Sequence, residues 1–219
     1  MLVAATLLGA AIVFGYTEPP GFDTWWNDTI SASRSDWMLS FALLLDHIGG
    51  GWVAILLVPL LVIIALLIAR RWQAAVFAAV AFLVSAGAVQ LLKHLFGRAR
   101  PEDMIVASDF GSFPSGHAAN AATIAMVLWL VFPRVWTAIL GIAWVVAMAV
   151  SRTLLSVHWA TDTLGGALVG AGVVLVLGAW LLPWVTGSRR DDPAVTSVCL
   201  LYTSPSPRDL STSRMPSSA

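Results

Sequence analysis

Ser151 to Asp162 reads SRTLLSVHWATD, which sets an arginine, a histidine and an aspartate at the mouth of an apolar segment. A charged side chain close to lipid is costly, so its presence there points first to function. His158 and Asp162 are four residues apart, and on one helix they would share a face, one turn apart. A carboxylate at that spacing can hold one imidazole N–H, fix the tautomer and leave the other ring nitrogen free to attack an electrophile. Arg152, six residues before His158, is close enough to clamp an anion beside it. The same residues fit a second reading, in which an interfacial Arg and His extend to water while their stems stay among lipid tails.

Two other segments carry the same kind of residue. Lys93 to Pro101, KHLFGRARP, leaves an apolar run and presents Lys93, Arg98 and Arg100. A phosphate ester carries up to two negative charges, and the guanidinium fork matches its oxygens. A basic cluster of this kind would also suit lipid headgroups. Arg98 reads as added headgroup attraction, and His94 as structural. Phe113 to His117, FPSGH, precedes another apolar run. Ser115 suits a helix N-cap, Gly116 lets the backbone approach a ligand, and free N–H groups at a helix start bind phosphate. His117 then falls in the first turn, facing that site. A plain helix cap with a surface histidine is the alternative.

The elements that must position these residues are membrane helices. Of 219 residues, 58% are hydrophobic and 11% charged, with a mean hydropathy of +0.84. Soluble domains carry about 25% charged residues. The chain therefore reads as an integral membrane protein of one domain. Its net charge is zero, so nothing marks it for nucleic acid. The single cysteine, Cys199, excludes an intramolecular disulfide, and its absence from the core excludes a cysteine nucleophile and a thiolate metal site there.

Six apolar runs read as spans: 1–16, 51–69, 74–96, 116–132, 135–155 and 159–184. The first is short; no Lys or Arg precedes it and five spans follow, so it reads as a helix rather than a signal segment. Residues 17–36 read as a polar loop broken by Pro19, Pro20 and Gly21, with Trp25 and Trp26 resting at the interface. Residues 37–47 read as a short interfacial helix with Asp46 and His47 near its end, His47 being interfacial rather than catalytic. Residues 97–114 form a polar connection. Gly166 and Gly170 stand in GxxxG spacing, which permits close helix contact. The expected fold is all-α, a polytopic bundle of six transmembrane helices with a short interfacial helix, over residues 1–190. Residues 191–219, rich in Ser, Pro and Thr from about Ala194, read as a disordered tail of adaptor or vector origin. Truncation near Ser188 should then be harmless.

An even span count puts both termini on one side. Arg70, Arg71, Arg134, Arg189 and Arg190 fall at one set of span ends, and Arg34, Lys93, Arg98, Arg100 and Arg152 at the other. The raw tally is a tie. Four of the second group belong to the segments suspected of chemistry, and setting them aside places both termini in the cytoplasm. All three segments then emerge together at the periplasmic or exterior face. Cations, a helix N-terminus and two histidines converge where a phosphate could bind.

Lys93 with six residues before Arg100-Pro101, then Pro114-Ser115-Gly116-His117, then Ser151-Arg152 with five residues before His158 and three more before Asp162, resembles the three-part signature of the phosphatidic acid phosphatase type 2 superfamily. That superfamily includes lipid phosphatases, undecaprenyl diphosphate phosphatases, glucose-6-phosphatases and vanadium haloperoxidases. The resemblance covers about residues 1 to 190. It implies that His158 attacks phosphorus and becomes a phosphohistidine, oriented by Asp162. It implies that His117 protonates the departing alkoxide and then activates water. Lys93, Arg100 and Arg152, with the Ser115 hydroxyl and the Gly116 N–H, would hold the phosphate oxygens. No metal and no other cofactor is expected, because the three cations do that work. The implied substrate is an amphiphile entering sideways from the outer leaflet: phosphatidate, phosphatidylglycerol phosphate, diacylglycerol pyrophosphate and undecaprenyl diphosphate all fit. The alternatives are a phosphotransferase on the same site and a non-catalytic lipid-binding protein. A haloperoxidase fits a membrane-embedded site less well. The sequence leaves the lipid and the oligomeric state open.

Overall fold

The computed structural model describes residues 1–16, 18–50 and 53–187. Met1–Leu181 is one compact unit, and Leu182–Ala219 is a second. The first contains every side chain of the site. The reading of residues 191–219 as a disordered, non-native tail lies outside the described residues.

Among the described residues eight α-helices follow one another: α1 (Leu2–Gly15), α2 (Gly21–Ala32), α3 (Asp36–Gly49), α4 (Val58–Ile68), α5 (Trp72–Phe96), α6 (Gly116–Val131), α7 (Val135–Leu154) and α8 (Ala160–Gly187). There is no strand among the described residues, so the all-α expectation holds. Among the described residues, three stretches are long and apolar enough to cross a bilayer: Trp72–Phe96, Val135–Leu154 and Ala160–Leu181. At 1.5 Å per residue, α5 extends about 37 Å, against a hydrocarbon core of roughly 30 Å. Shorter apolar helices, Leu2–Gly15, Val58–Ile68 and Gly116–Val131, stand where the other three spans were expected. Residues Val53–Leu57 are π-helical and run into α4. Pro59, at the start of α4, explains the wider turn: its ring would collide with the carbonyl four residues back in a regular helix.

The stretch expected as a polar loop is in part a helix, α2. Pro20 stands at its N-cap, where a missing N–H costs nothing, and Asp23 in the first turn favours the helix dipole. Phe22, Trp25 and Trp26 cluster through their rings on one side. Asp23, Asn27 and Ser31, each four residues on from the last, form a polar stripe that contacts the site. Of the expected breakers, Pro19 and Pro20 precede this helix and Gly21 is its first residue; none interrupts it. The interfacial helix expected over residues 37–47 is present as α3, which packs along α7.

Small residues make many of the helix contacts, and although Phe77, Phe113 and Met148 are buried, many other large apolar side chains face out. Ala5 of α1, Val89 of α5, Ala119 of α6 and Val169 and Val173 of α8 make one core cluster. Leu83 of α5 is 75% exposed, Val135 of α7 74% and Trp180 of α8 81%. Side chains of this kind face outward without cost only in lipid, where close approach between small residues drives helix association. The expected α8 contact through Gly166 and Gly170 is present against α6. A Cβ built on Gly170 would sit 2.1 Å from the Ala119 carbonyl oxygen, and one on Gly166 would sit 2.3 Å from that of Ser115.

Candidate active site

The antiparallel course of α5 to α8 brings the end of α5, the start of α6, the end of α7 and the start of α8 together. Gly97 closes α5 in the left-handed region, with φ of 55° and its N–H on the Lys93 carbonyl at 2.8 Å. A residue with a Cβ adopts that conformation at a cost. The chain then turns back over the bundle end and docks on the α7–α8 turn. Ile105 N–H reaches the Leu155 carbonyl at 3.1 Å, and the Trp159 indole N–H reaches that of Ala99 at 3.0 Å. Ser156, in the same turn, donates to Asn27 of α2 at 3.0 Å and to Asp103 at 2.8 Å.

His158 sits in this turn, almost fully buried, between a carboxylate and cations. Its Nδ1 faces Asp162 Oδ2 at 3.6 Å, an ion-pair separation longer than a hydrogen bond, and Nδ1 has no hydrogen-bond partner. Its Nε2 lies 3.3 Å from the Arg100 guanidinium. Arg100 also reaches the Val157 and Gly111 carbonyls and Asp109. Lys93, buried at the end of α5, donates to both carboxylate oxygens of Asp109 at 2.8 Å. Burial alone would raise the Asp109 pKa, but Lys93 and Arg100 hold it below the usual carboxylate range. Burial, with Arg100 and Lys93 nearby, pushes the His158 imidazole down to about 4 against the pull of Asp162. The ring is therefore neutral, with a free lone pair, across the physiological range.

Asp162 is held from several directions. Its Oδ2 accepts from the Ser112 hydroxyl at 2.6 Å and the Trp159 N–H at 2.8 Å, and its Oδ1 accepts from Arg98. Its carbonyl takes the Ser115 N–H at 3.0 Å, which ties the start of α8 to the start of α6. Ser115 caps α6 as the spacing predicted, its hydroxyl oxygen accepting from the Ala118 N–H at 3.5 Å.

A second cluster surrounds His117. Its Nε2 is 3.0 Å from Arg152 and 3.4 Å from Asp46, and Arg152 is bonded to Asp46. The hydrogen bond to His117, and then Arg152, hold the Asp46 carboxyl well below its ordinary range. Both clusters line one cavity of about 800 Å³. Lys93, Gly116, His117, Arg152 and His158 form its polar end, and the cavity continues beside Val89 and Phe82 of α5. All eight residues singled out in the sequence gather at this end of the bundle.

Five further residues complete it. In the sequence Asp46 stands out only by its position near a helix end, and Asp23, Asp109 and Ser112 carry no individual mark of a role. The reading of Arg98 as headgroup attraction is corrected: it is 9% exposed and paired with Asp23 and Asp162, away from any lipid surface. The polar stripe at four-residue spacing on α2 was the available signal for Asp23. Nothing local in the sequence marked Asp109.

The PAP2 superfamily profile matches residues 74–186, which is more than half of the chain. The chain is 32% identical over 161 residues to the putative undecaprenyl-diphosphatase YbjG of Escherichia coli, covering 70% of this chain and 77% of that protein. It is 37% identical over 142 residues to the decaprenylphosphoryl-5-phosphoribose phosphatase of Mycobacterium tuberculosis, covering 62% of this chain and 76% of that one. Its fold resembles the transmembrane PAP2 type phosphatidylglycerolphosphate phosphatase of Bacillus subtilis, with a TM-score of 0.69 at 22% identity, over 82% of this chain and 94% of the other. Apolar outer faces, a buried basic pocket and these similarities agree, and the chain belongs to the PAP2 superfamily, among its membrane lipid phosphatases.

Proposed function

We propose that the protein hydrolyses the phosphate or diphosphate of a long-chain lipid through a phosphohistidine on His158. The observation that carries this is the orientation of that ring: Nδ1 faces Asp162, and Nε2 faces Arg100 inside a cavity lined by Lys93, His117 and Arg152. Nε2 forms the bond to phosphorus as the bond to the leaving oxygen breaks. His117 gives that oxygen a proton, so the lipid leaves as an alcohol, or as a monophosphate when the substrate is a diphosphate. His117 then takes a proton from water, whose oxygen attacks phosphorus; the P–N bond breaks, phosphate departs and His158 is restored. Charge spreads over the equatorial oxygens in both steps. Lys93, Arg100 and Arg152, with the Ser115 hydroxyl and Gly116 N–H, are placed to stabilise it, and such positioning supplies most of the rate in phosphoryl transfer. Asp162 orients the nucleophile, and Asp46 does the same for His117.

The apolar continuation of the cavity beside Phe82 and Val89 suits a hydrocarbon chain. The relatives named for prenyl-linked substrates make a prenyl diphosphate the first candidate. A panel of undecaprenyl diphosphate, phosphatidate, diacylglycerol pyrophosphate and phosphatidylglycerol phosphate in detergent tests the reading. At least one should release inorganic phosphate. Vanadate, which mimics five-coordinate phosphorus, should inhibit, and EDTA should leave the rate unchanged. Silence toward every lipid, or loss of activity in EDTA, would overturn it. Label passing to a lipid or sugar acceptor instead of water would make the protein a phosphotransferase.

The site faces the periplasm or exterior, with both termini cytoplasmic. The cations at the site end are in ion pairs that the chemistry explains, which leaves Arg70, Arg71 and Arg134 to mark the cytoplasmic end. In a Cys199→Ser background, Glu102→Cys should react with an impermeant maleimide in intact cells, and Arg134→Cys only after permeabilisation. The reverse pattern would invert the topology.

A further inference from the structure

Resting on the phosphatase reading above, we propose that Arg98 and Asp23 are positioning residues for the nucleophile. The buried chain Asp23–Arg98–Asp162 fixes the carboxylate facing His158 and balances the charge under which the imidazole works.

Neither Arg98 nor Asp23 lines the cavity, and both terminal nitrogens of Arg98 are committed to Asp162, Thr161 and Asp23 rather than turned toward a phosphate. Both are nonetheless buried charges, Asp23 at 0% exposure. Such groups persist only when paired and fully hydrogen bonded. Here every link is made. Arg98 donates through one nitrogen to Asp162 and to the Thr161 hydroxyl at 2.8 Å, and through the other to Asp23 at 2.7 Å. Asp23 accepts from the Thr161 N–H at 3.0 Å and from its hydroxyl at 2.6 Å. The guanidinium lies 5.6 Å from the centre of the Trp159 ring. The row ends on Asp162 Oδ1, while Oδ2 of the same carboxylate faces His158. A pair serving the scaffold alone has no reason to terminate on that carboxylate. Asp23 comes from α2, so this helix reaches the carboxylate behind the nucleophile through Arg98, in addition to its bonds to Thr161 and Ser156.

The charges around His158 give the expected sign. Asp162 of α8 and Asp109 of the 97–115 segment favour the imidazolium; Lys93 of α5 and Arg100 oppose it. Asp46 of α3, His117 of α6 and Arg152 of α7 stand across the cavity. Behind Asp162, Arg98 opposes protonation of His158 and Asp23 favours it. Removing the positive charge leaves two carboxylates unbalanced and makes the ring easier to protonate.

The test is the pH profile of kcat/KM, which reports the free enzyme. Arg98→Gln should move the acid limb upward by about one to two pH units, as expected for a unit charge roughly 7–10 Å away at an effective dielectric of about 20. Asp23→Asn should move it downward by less. The double variant should bring the limb back toward wild type. Arg98→Lys keeps the charge but cannot span both carboxylates, so kcat should fall with the limb unmoved. A scaffold role predicts the opposite pattern: activity lost, the limb fixed throughout, and the double variant worse than either single one. If Arg98→Gln does not accumulate, the Asp23→Asn limb decides, and an unmoved limb overturns the proposal. The parent reading fails separately, on a wild-type protein that releases no phosphate from any lipid tested.

Discussion

His158→Ala is expected to reduce phosphate release by about four to six orders of magnitude, as removal of a nucleophile does in enzymes that form covalent intermediates. The geometry explains why no neighbour substitutes. Among the described residues His158 is the only imidazole between Asp162 and the Lys93–Arg100 pair; His117 belongs to the separate Asp46–Arg152 cluster. Folding should survive. The ring makes no hydrogen bond through Nδ1, and the turn is held by Ser156, Ile105 and Trp159 without it. Two measurements check this together: phosphate release from the best lipid of the panel, and thermal unfolding in the same detergent. Acid-labile radiolabel on the wild-type protein, absent from His158→Ala, would establish the phosphohistidine. Activity within tenfold of wild type would assign the nucleophile elsewhere.

Gly170→Leu is expected to damage both stability and activity from a position remote from the chemistry. The first added carbon would lie 2.1 Å from the Ala119 carbonyl oxygen, where ordinary contact requires more than 3 Å. Backbone cannot swing aside as a flexible side chain does, so α8 must back away from α6. Overpacking of this kind costs about 1–3 kcal/mol or more, which in a chain of this size corresponds to a fall in Tm of roughly 5–10 °C. The effect on rate should be larger. The Ser115 N–H to Asp162 carbonyl bond joins the two helices at the site, and a shift of about 1 Å there can cost on the order of a hundredfold in rate. Val176→Leu, on an exposed face of the same helix, is the control and should change neither quantity. Equal behaviour of the two variants would show that the close contact does not govern the site.

Much of this was legible in the chain because membrane segments and phosphate chemistry both leave strong local marks. Apolar runs located the helices, Ser115 and Gly116 announced a helix start, and the glycine pair on α8 announced a close contact. His158 and Asp162 sit at a spacing that carries meaning by itself. What escaped depended on residues brought together from far apart. Asp109 is recognisable only once Lys93 and Arg100 are seen to converge on it. Arg98 sits within a basic cluster that suggested a surface, and its burial follows from Asp23, 75 positions away. The helix carrying Asp23 is masked in the sequence by the prolines before it, which read as breakers although a polar stripe at four-residue spacing follows them. Two of the short apolar helices show the same limit: composition marks a span, while regular helix starts and stops at particular prolines, Pro59 at the start of α4 and Pro133 just after the end of α6.

The ion pairs at the site end have a consequence for selectivity. Lys93 and Arg100 share Asp109, Arg98 lies between Asp23 and Asp162, Arg152 meets Asp46 and Arg34 meets Asp103. Cation and carboxylate therefore cancel nearly one for one, and the resting mouth casts little far-reaching field into the surrounding water. Soluble anions are not drawn in from a distance. On the proposed reading, a molecule with a greasy tail is concentrated in the bilayer before its head meets the pocket, and partitioning rather than electrostatic steering is expected to choose the substrate.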